Sequence, residues 1–283
     1  VLAGVFMYFF AKDFFGKLGG VVSGLFYVYA PYHALDIFVR GDVAEFWAYA
    51  FIPLAFLGIY KKNLIIGSIG FAAIVLSHNL TAMMVTSFLL IVILLNCYIA
   101  FRKNNLSSFI SHLSSLILGL ALSAFYWIPA LFEMGSTNVL SQIGGGADFR
   151  DHFVCVQQLW DSSWGFGGST KTCIDGLSFK IGKLHILVSL AALVLAVFYS
   201  RSKSIRRIVV FSSLGFIISI FLTLEVSRFL WDKVPVMAFF QYPWRFLLLA
   251  AFFSSVICGS LVILLQFKIQ PYIIASILIF IIL

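Results

Sequence analysis

Two clusters of chemistry-bearing side chains interrupt an otherwise apolar chain. The first is DIFVRGDVAEF, Asp36 to Phe46, which places Asp36, Arg40, Asp42 and Glu45 within ten residues. Carboxylates at a membrane surface can act as a general base or hold a divalent cation, and a guanidinium can bind a phosphate. The same spacing also has a plain structural use. Asp42 followed three positions later by Glu45 is a capping-box pattern, and Asp36 and Arg40 are four apart, as a pair on one helical turn would be. The second cluster is QYPWRFL, with Gln241, Tyr242 and Arg245 beside a helix-starting proline. Arg245 can reach toward lipid headgroups or, with its two neighbours, bind a lipid phosphate. Between them lies SHNLT, where His78 and Asn79 either cap the next helix or line a polar cavity. Glu133 reads as a solvated loop carboxylate.

What must position these groups is set by composition. Of 283 residues, 62% are hydrophobic and only 11% are charged. Globular domains carry about 25% charge, and a soluble fold of this size could not hide so much apolar surface. Lipid is therefore the expected solvent, and the runs lack the alternation of membrane β-strands. Apolar runs fall at about 1–11, 18–31, 45–60, 64–77, 80–100, 108–130, 184–199, 208–224, 243–266 and 270–283. The expected fold is an all-α, polytopic transmembrane bundle of about 8–10 spans, forming one domain over 1–283. Residues 131–183, rich in Gly, Ser and Trp, are expected to form a long ordered loop capping it. The first and last runs look cut, as if the chain were a piece of a longer protein.

Charge placement orients the bundle. If the link at 12–17 is cytoplasmic and each run crosses once, the cytoplasmic links hold eleven basic residues and one acid, Asp13. The outer links then hold eight basic residues and ten acids, as the positive-inside rule requires. This explains the net charge of +8 without a nucleic-acid partner. DIFVRGDVAEF, His78, 131–183 and 225–242 all fall outside. Cys155 and Cys173 share the outer loop, so a disulfide between them is one expectation; zinc is disfavoured because no further ligands cluster with them. Cys97 and Cys258 read as small core residues. No Gly-rich phosphate loop with a Lys, HExxH, GxSxG or CxxC is present.

Taken together, LFYVYAPYHALDIFVRGDVAEFWAYAFIPLAF, LSHNLTAMM, QLWDSSWGFGG, DGLSFKIGKLHIL and FFQYPWRFL resemble bacterial multi-spanning proteins labelled 6-pyruvoyl-tetrahydropterin synthase-related membrane proteins. These are similar to the GT-C class of membrane glycosyltransferases, which includes oligosaccharyltransferases, protein mannosyltransferases and YfhO-like proteins. The resemblance implies a GT-C-like helical bundle in the bacterial plasma membrane with an active site at its outer face. It implies transfer of a sugar from a polyprenyl-phosphate donor to a cell-envelope acceptor. The family's usual first-loop carboxylate would precede Val1. Asp36, Asp42 and Glu45 match the second outer loop and stand as the catalytic candidates. Arg40, His78, Asn79, Gln241, Tyr242 and Arg245 stand as substrate-binding candidates, with Mg or Mn as a divalent cofactor. Two other classes compete: a transporter or flippase of lipid-linked glycans, which needs polar groups deep within spans, and a non-catalytic membrane scaffold that binds partners through 131–183.

Overall fold

The computed structural model describes residues 1–101, 107–138 and 147–265. Its elements are helical: α1 (Leu2–Val28), α2 (Pro31–Leu35), a π-turn (Asp36–Arg40), α3 (Val43–Lys61), α4 (Leu64–Ser77), α5 (Asn79–Phe101), α6 (Ser107–Leu122) and α7 (Ala124–Phe132). Then follow α8 (Val156–Trp160), α9 (Lys183–Phe198), α10 (Lys203–Thr223), α11 (Arg228–Lys233) and α12 (Leu247–Leu264), with short 3-10 turns between them. Among the described residues there is no strand beyond one isolated bridge, Val154 to Leu224.

The chain divides into two compact units. One is discontinuous, 1–41 with 146–283; the other is 42–145. In the discontinuous unit, α12 is the central helix. Leu247 to Ser260 are all buried, against α1, α9 and α10. α1 is two arms rather than one rod. Gly16 breaks it at φ 73, ψ 177, backbone that only glycine adopts without strain. The arms fold back on each other, so that a Cβ on Gly24 would lie 2.9 Å from the Gly4 carbonyl oxygen. In the continuous unit, α3 and α4 form a second hairpin. The backbones approach so closely that a Cβ on Gly58 would lie 2.1 Å from the Gly67 nitrogen. Ser68 Oγ donates to the Ser115 carbonyl at 3.1 Å, joining α4 to α6. Small residues and hydroxyls at helix contacts are what packing requires where lipid removes the hydrophobic drive between helices.

Among the described residues, four helices are long and apolar enough to cross a membrane: Val43–Lys61, Asn79–Tyr98, Lys203–Thr223 and Pro243–Leu264. A fifth span results if His112–Leu122 and Ala124–Phe132, bent by 70°, count as one. This is fewer than the 8–10 spans expected from the sequence, for a physical reason. Each arm of α1 is short, and α4 and α9, at 14 and 16 residues, fall below the ~20 a perpendicular span needs. The run at 270–283 lies outside the described residues, as does part of the loop at 131–183.

Candidate functional site

The continuous unit brings together Asp42, Glu45 and His78. Asp42 is the N-cap of α3, and its Oδ1 accepts from the Glu45 backbone N–H at 3.0 Å. Glu45 sits in the first turn and is fully buried, 0% exposed. His78 lies at the junction of α4 and α5, so the α3–α4 hairpin returns it to the same end as Asp42. One ligand atom from each of the three residues lies within 4.8 Å of the others. His78 Nδ1 is 2.7 Å from Thr81 Oγ1, and Thr81 is itself buried. The Thr81 backbone N–H also donates to Nδ1, at 3.3 Å, so Nδ1 is the acceptor nitrogen of the neutral ring, and the two Thr81 contacts hold the imidazole in place at the start of α5. Two carboxylates and an imidazole suit Mn²⁺ or Mg²⁺ chemistry, because oxygen ligands select these hard ions. Asn79 starts α5 and is exposed.

The discontinuous unit assembles a different cluster. Arg40 Nη1 is paired with Asp36 Oδ1 and donates to the Tyr32 hydroxyl at 3.1 Å. Asp36 is 1% exposed, so this ion pair is buried. The Arg40 guanidinium lies 4.7 Å from the centroid of the Trp244 ring, a cation–π seat. Trp244 Nε1 donates to Ser169 Oγ at 3.0 Å, and Ser169 Oγ is 2.7 Å from His152 Nδ1. An indole N–H can only donate. Ser169 Oγ therefore accepts from Trp244, and its contact with His152 Nδ1 runs in the direction set by the histidine's tautomer. Tyr242 stacks on Trp244 at 5.1 Å and meets the His152 ring edge-on at 4.7 Å. Arg245, buried, lies 5.3 Å from the Tyr242 centroid.

Local structure explains how QYPWRFL enters this cluster. Gln241 has φ 62 and ψ −47, and the Tyr242 N–H bonds to the Phe240 carbonyl at 2.6 Å. That is a positive-φ γ-turn, a rare and strained conformation. It turns the chain sharply before Pro243 starts the run into α12. Strain of this sort persists where surrounding contacts hold it, which is common at functional sites.

The loop that supplies Ser169 is itself organised. Cys155 and Cys173 form a disulfide, with Cα atoms 5.7 Å apart. Asp175 accepts from Ser162 Oγ at 2.6 Å, the Ser163 N–H at 2.8 Å and Gln158 Nε2 at 2.9 Å. Burial pushes the Asp175 carboxyl upward, but these three donors and the Lys180 charge hold it below the usual carboxylate range.

The sequence candidates thus fall into two groups. Asp42, Glu45 and His78 meet in one unit; Asp36, Arg40, Tyr242 and Arg245 belong to the cluster in the other. Tyr32, His152, Ser169 and Trp244 were not singled out by sequence. Trp244 stands within the quoted QYPWRFL, but nothing marks Ser169 within GGST. No family model, no curated protein and no solved structure matches this chain.

Proposed function

We propose that the chain is a GT-C-like membrane glycosyltransferase, which moves a sugar from a polyprenyl-phosphate donor to a cell-envelope acceptor on the extracytoplasmic side of a bacterial plasma membrane. The observation that supports it is the convergence of Asp42, Glu45 and His78 within 4.8 Å at one end of the α3–α4 hairpin. A divalent cation there would supply electrostatic stabilisation of a departing phosphate. Asp42 and Glu45 would hold it with His78, and Thr81 would fix the histidine. Asp36 is the remaining catalytic candidate, but its buried pairing with Arg40 suits it better to holding that guanidinium than to moving a proton. Arg40 and Arg245 would bind anionic substrate groups through guanidiniums seated on the Trp244 and Tyr242 rings, with the Gln241 amide and the Tyr242 hydroxyl as neutral partners.

The test uses the full-length protein in lipid vesicles with a polyprenyl-phosphate sugar and an envelope-glycan acceptor. Transfer should require Mn²⁺ or Mg²⁺ and stop with a chelator. Asp42→Asn, Glu45→Gln and His78→Gln should each lower the rate by about a hundredfold or more, the scale of a lost catalytic group. Exposed Asp161→Asn should leave it unchanged. Metal-independent transfer, or full activity in all three variants, removes the cluster from the mechanism.

A further inference from the structure

A second concave feature of the discontinuous unit belongs to neither cluster. It is a cavity of about 350 Å³ between α8, α9 and α10, with α12 as its floor. Its lining is apolar apart from Ser189 and Ser213. These two small residues are what leave the space open, since leucine at either would fill it. Ser189 is bonded to Cys258 Sγ at 3.6 Å, whereas Ser213 Oγ is buried without a hydrogen-bond partner. A buried hydroxyl with no partner is uncommon, so the packing around Ser213 is not closed by protein alone. The rim residues Trp160, Leu190 and Ile217 are exposed, so the groove opens sideways from the helices.

We propose that this groove binds one acyl chain of a bilayer glycerophospholipid as a structural lipid, distinct from any sugar donor. The inference rests on α10 and α12 lying in a bilayer. Three observations fix the occupant. The lining offers no charge and nearly no polarity, so the ligand portion is hydrocarbon. The groove runs from Ile220 to Ser213 on α10, about 10 Å at helical rise, which fits within the ~15 Å hydrocarbon depth of one leaflet. Its volume is at the small end of ligand sites, about 300–1,000 Å³, so it holds part of one hydrocarbon chain. Trp160 marks one end. It carries the Lys183 ammonium 5.8 Å from its ring, and Lys183 pairs with Asp161 at 3.5 Å. An indole beside paired charges is the environment of a headgroup boundary.

The experiment reconstitutes the full chain in phosphatidylcholine–phosphatidylglycerol vesicles containing phosphatidylcholine with a diazirine in one acyl chain. Photolabelled residues are then located by mass spectrometry. Leu187 and Leu214, exposed on the same helices, report ordinary surrounding lipid, whereas Phe216, buried in the groove, reports the site. Labelling is expected at all three. Ser213→Leu, which fills the groove, and Leu190→Trp, which covers its rim, should each cut labelling at Phe216 about tenfold, while Leu187 and Leu214 stay unchanged. The second variant keeps the test informative if the first packs poorly. Labelling at Leu187 and Leu214 but not Phe216, or insensitivity to both variants, overturns the proposal. So does displacement from Phe216 by a long-chain isoprenoid alcohol. Absence of labelling at all three positions removes the bilayer placement, and the groove proposal with it. Neither variant touches the Asp42 cluster, so transferase activity is tested independently.

Discussion

Asp36 and Arg40 depend on each other because burial leaves both charges far from water. Removing one partner of such a pair commonly costs about 3–5 kcal/mol, whereas replacing both with apolar groups costs far less. Asp36→Asn should therefore lower the unfolding temperature in detergent much more than the double change Asp36→Leu with Arg40→Met; equal losses would show that the pair is not desolvated. Asp175 makes a prediction about pH. Its carboxyl is held below its unfolded-state value, so its contribution is complete at neutral pH and is lost as pH falls through that lowered value. Amide exchange across 162–179 should accelerate on acidification below the usual carboxylate range. In Asp175→Asn it should be fast at every pH, and a wild-type-like pH profile in that variant would acquit the carboxylate. At this scale the sequence was partly legible. The Asp36–Arg40 spacing and the Asp42 cap are local, set by helical periodicity, and both form. The partners Trp244, Ser169 and His152 are distant in the chain, and no periodic pattern encodes a hydrogen bond between an indole and a remote serine.

Among the elements, hydrophobic runs marked helices well and spans less well. α3, α5, α10 and α12 each contain an apolar run and are long enough as helices to span, but composition does not distinguish a span from the short arms beside Gly16 or from the 14-residue α4. Length and breaks decide that, and a single glycine inside an apolar segment reads as ordinary until its backbone is seen. Gly16→Ala should destabilise the α1 hairpin by about 1–3 kcal/mol, the cost of forcing a side chain into a glycine-only region. No atom lies within 4 Å of the added Cβ, so the loss would be conformational and not a clash. A Gly16→Asn variant should lose less if the turn can relax toward the left-handed region, where asparagine is tolerated. Thermal unfolding of the three proteins in one detergent compares them directly.

At the scale of a whole unit, the acid-rich junctions of the discontinuous part gather at one end of its helices. In the discontinuous unit, 30–40, 147–182 and 224–246 are joined through Arg40, Trp244, Ser169 and the Val154–Leu224 bridge. The basic positions Lys17 and Arg201 lie at the far ends of the neighbouring helices, beside the Gly16 turn and between α9 and α10. On the positive-inside rule, single cysteines at Ser163 or Val226 should react with an impermeant thiol reagent from the extracytoplasmic side. A cysteine at Ser200 should react only after the membrane is opened. Labelling of all three from one side would refute the alternating topology. The discontinuous unit also has a consequence for biosynthesis. A ribosome delivers Arg40 well before Trp244, with the whole of 42–145 made in between. The arginine's aromatic seat, and the disulfide-bound loop that supplies Ser169 to it, are thus completed only when the last described helix is inserted. Until then the first hairpin is an unfinished substrate for membrane quality control, and a nascent chain stalled before Pro243 should be degraded faster than one stalled after Leu264.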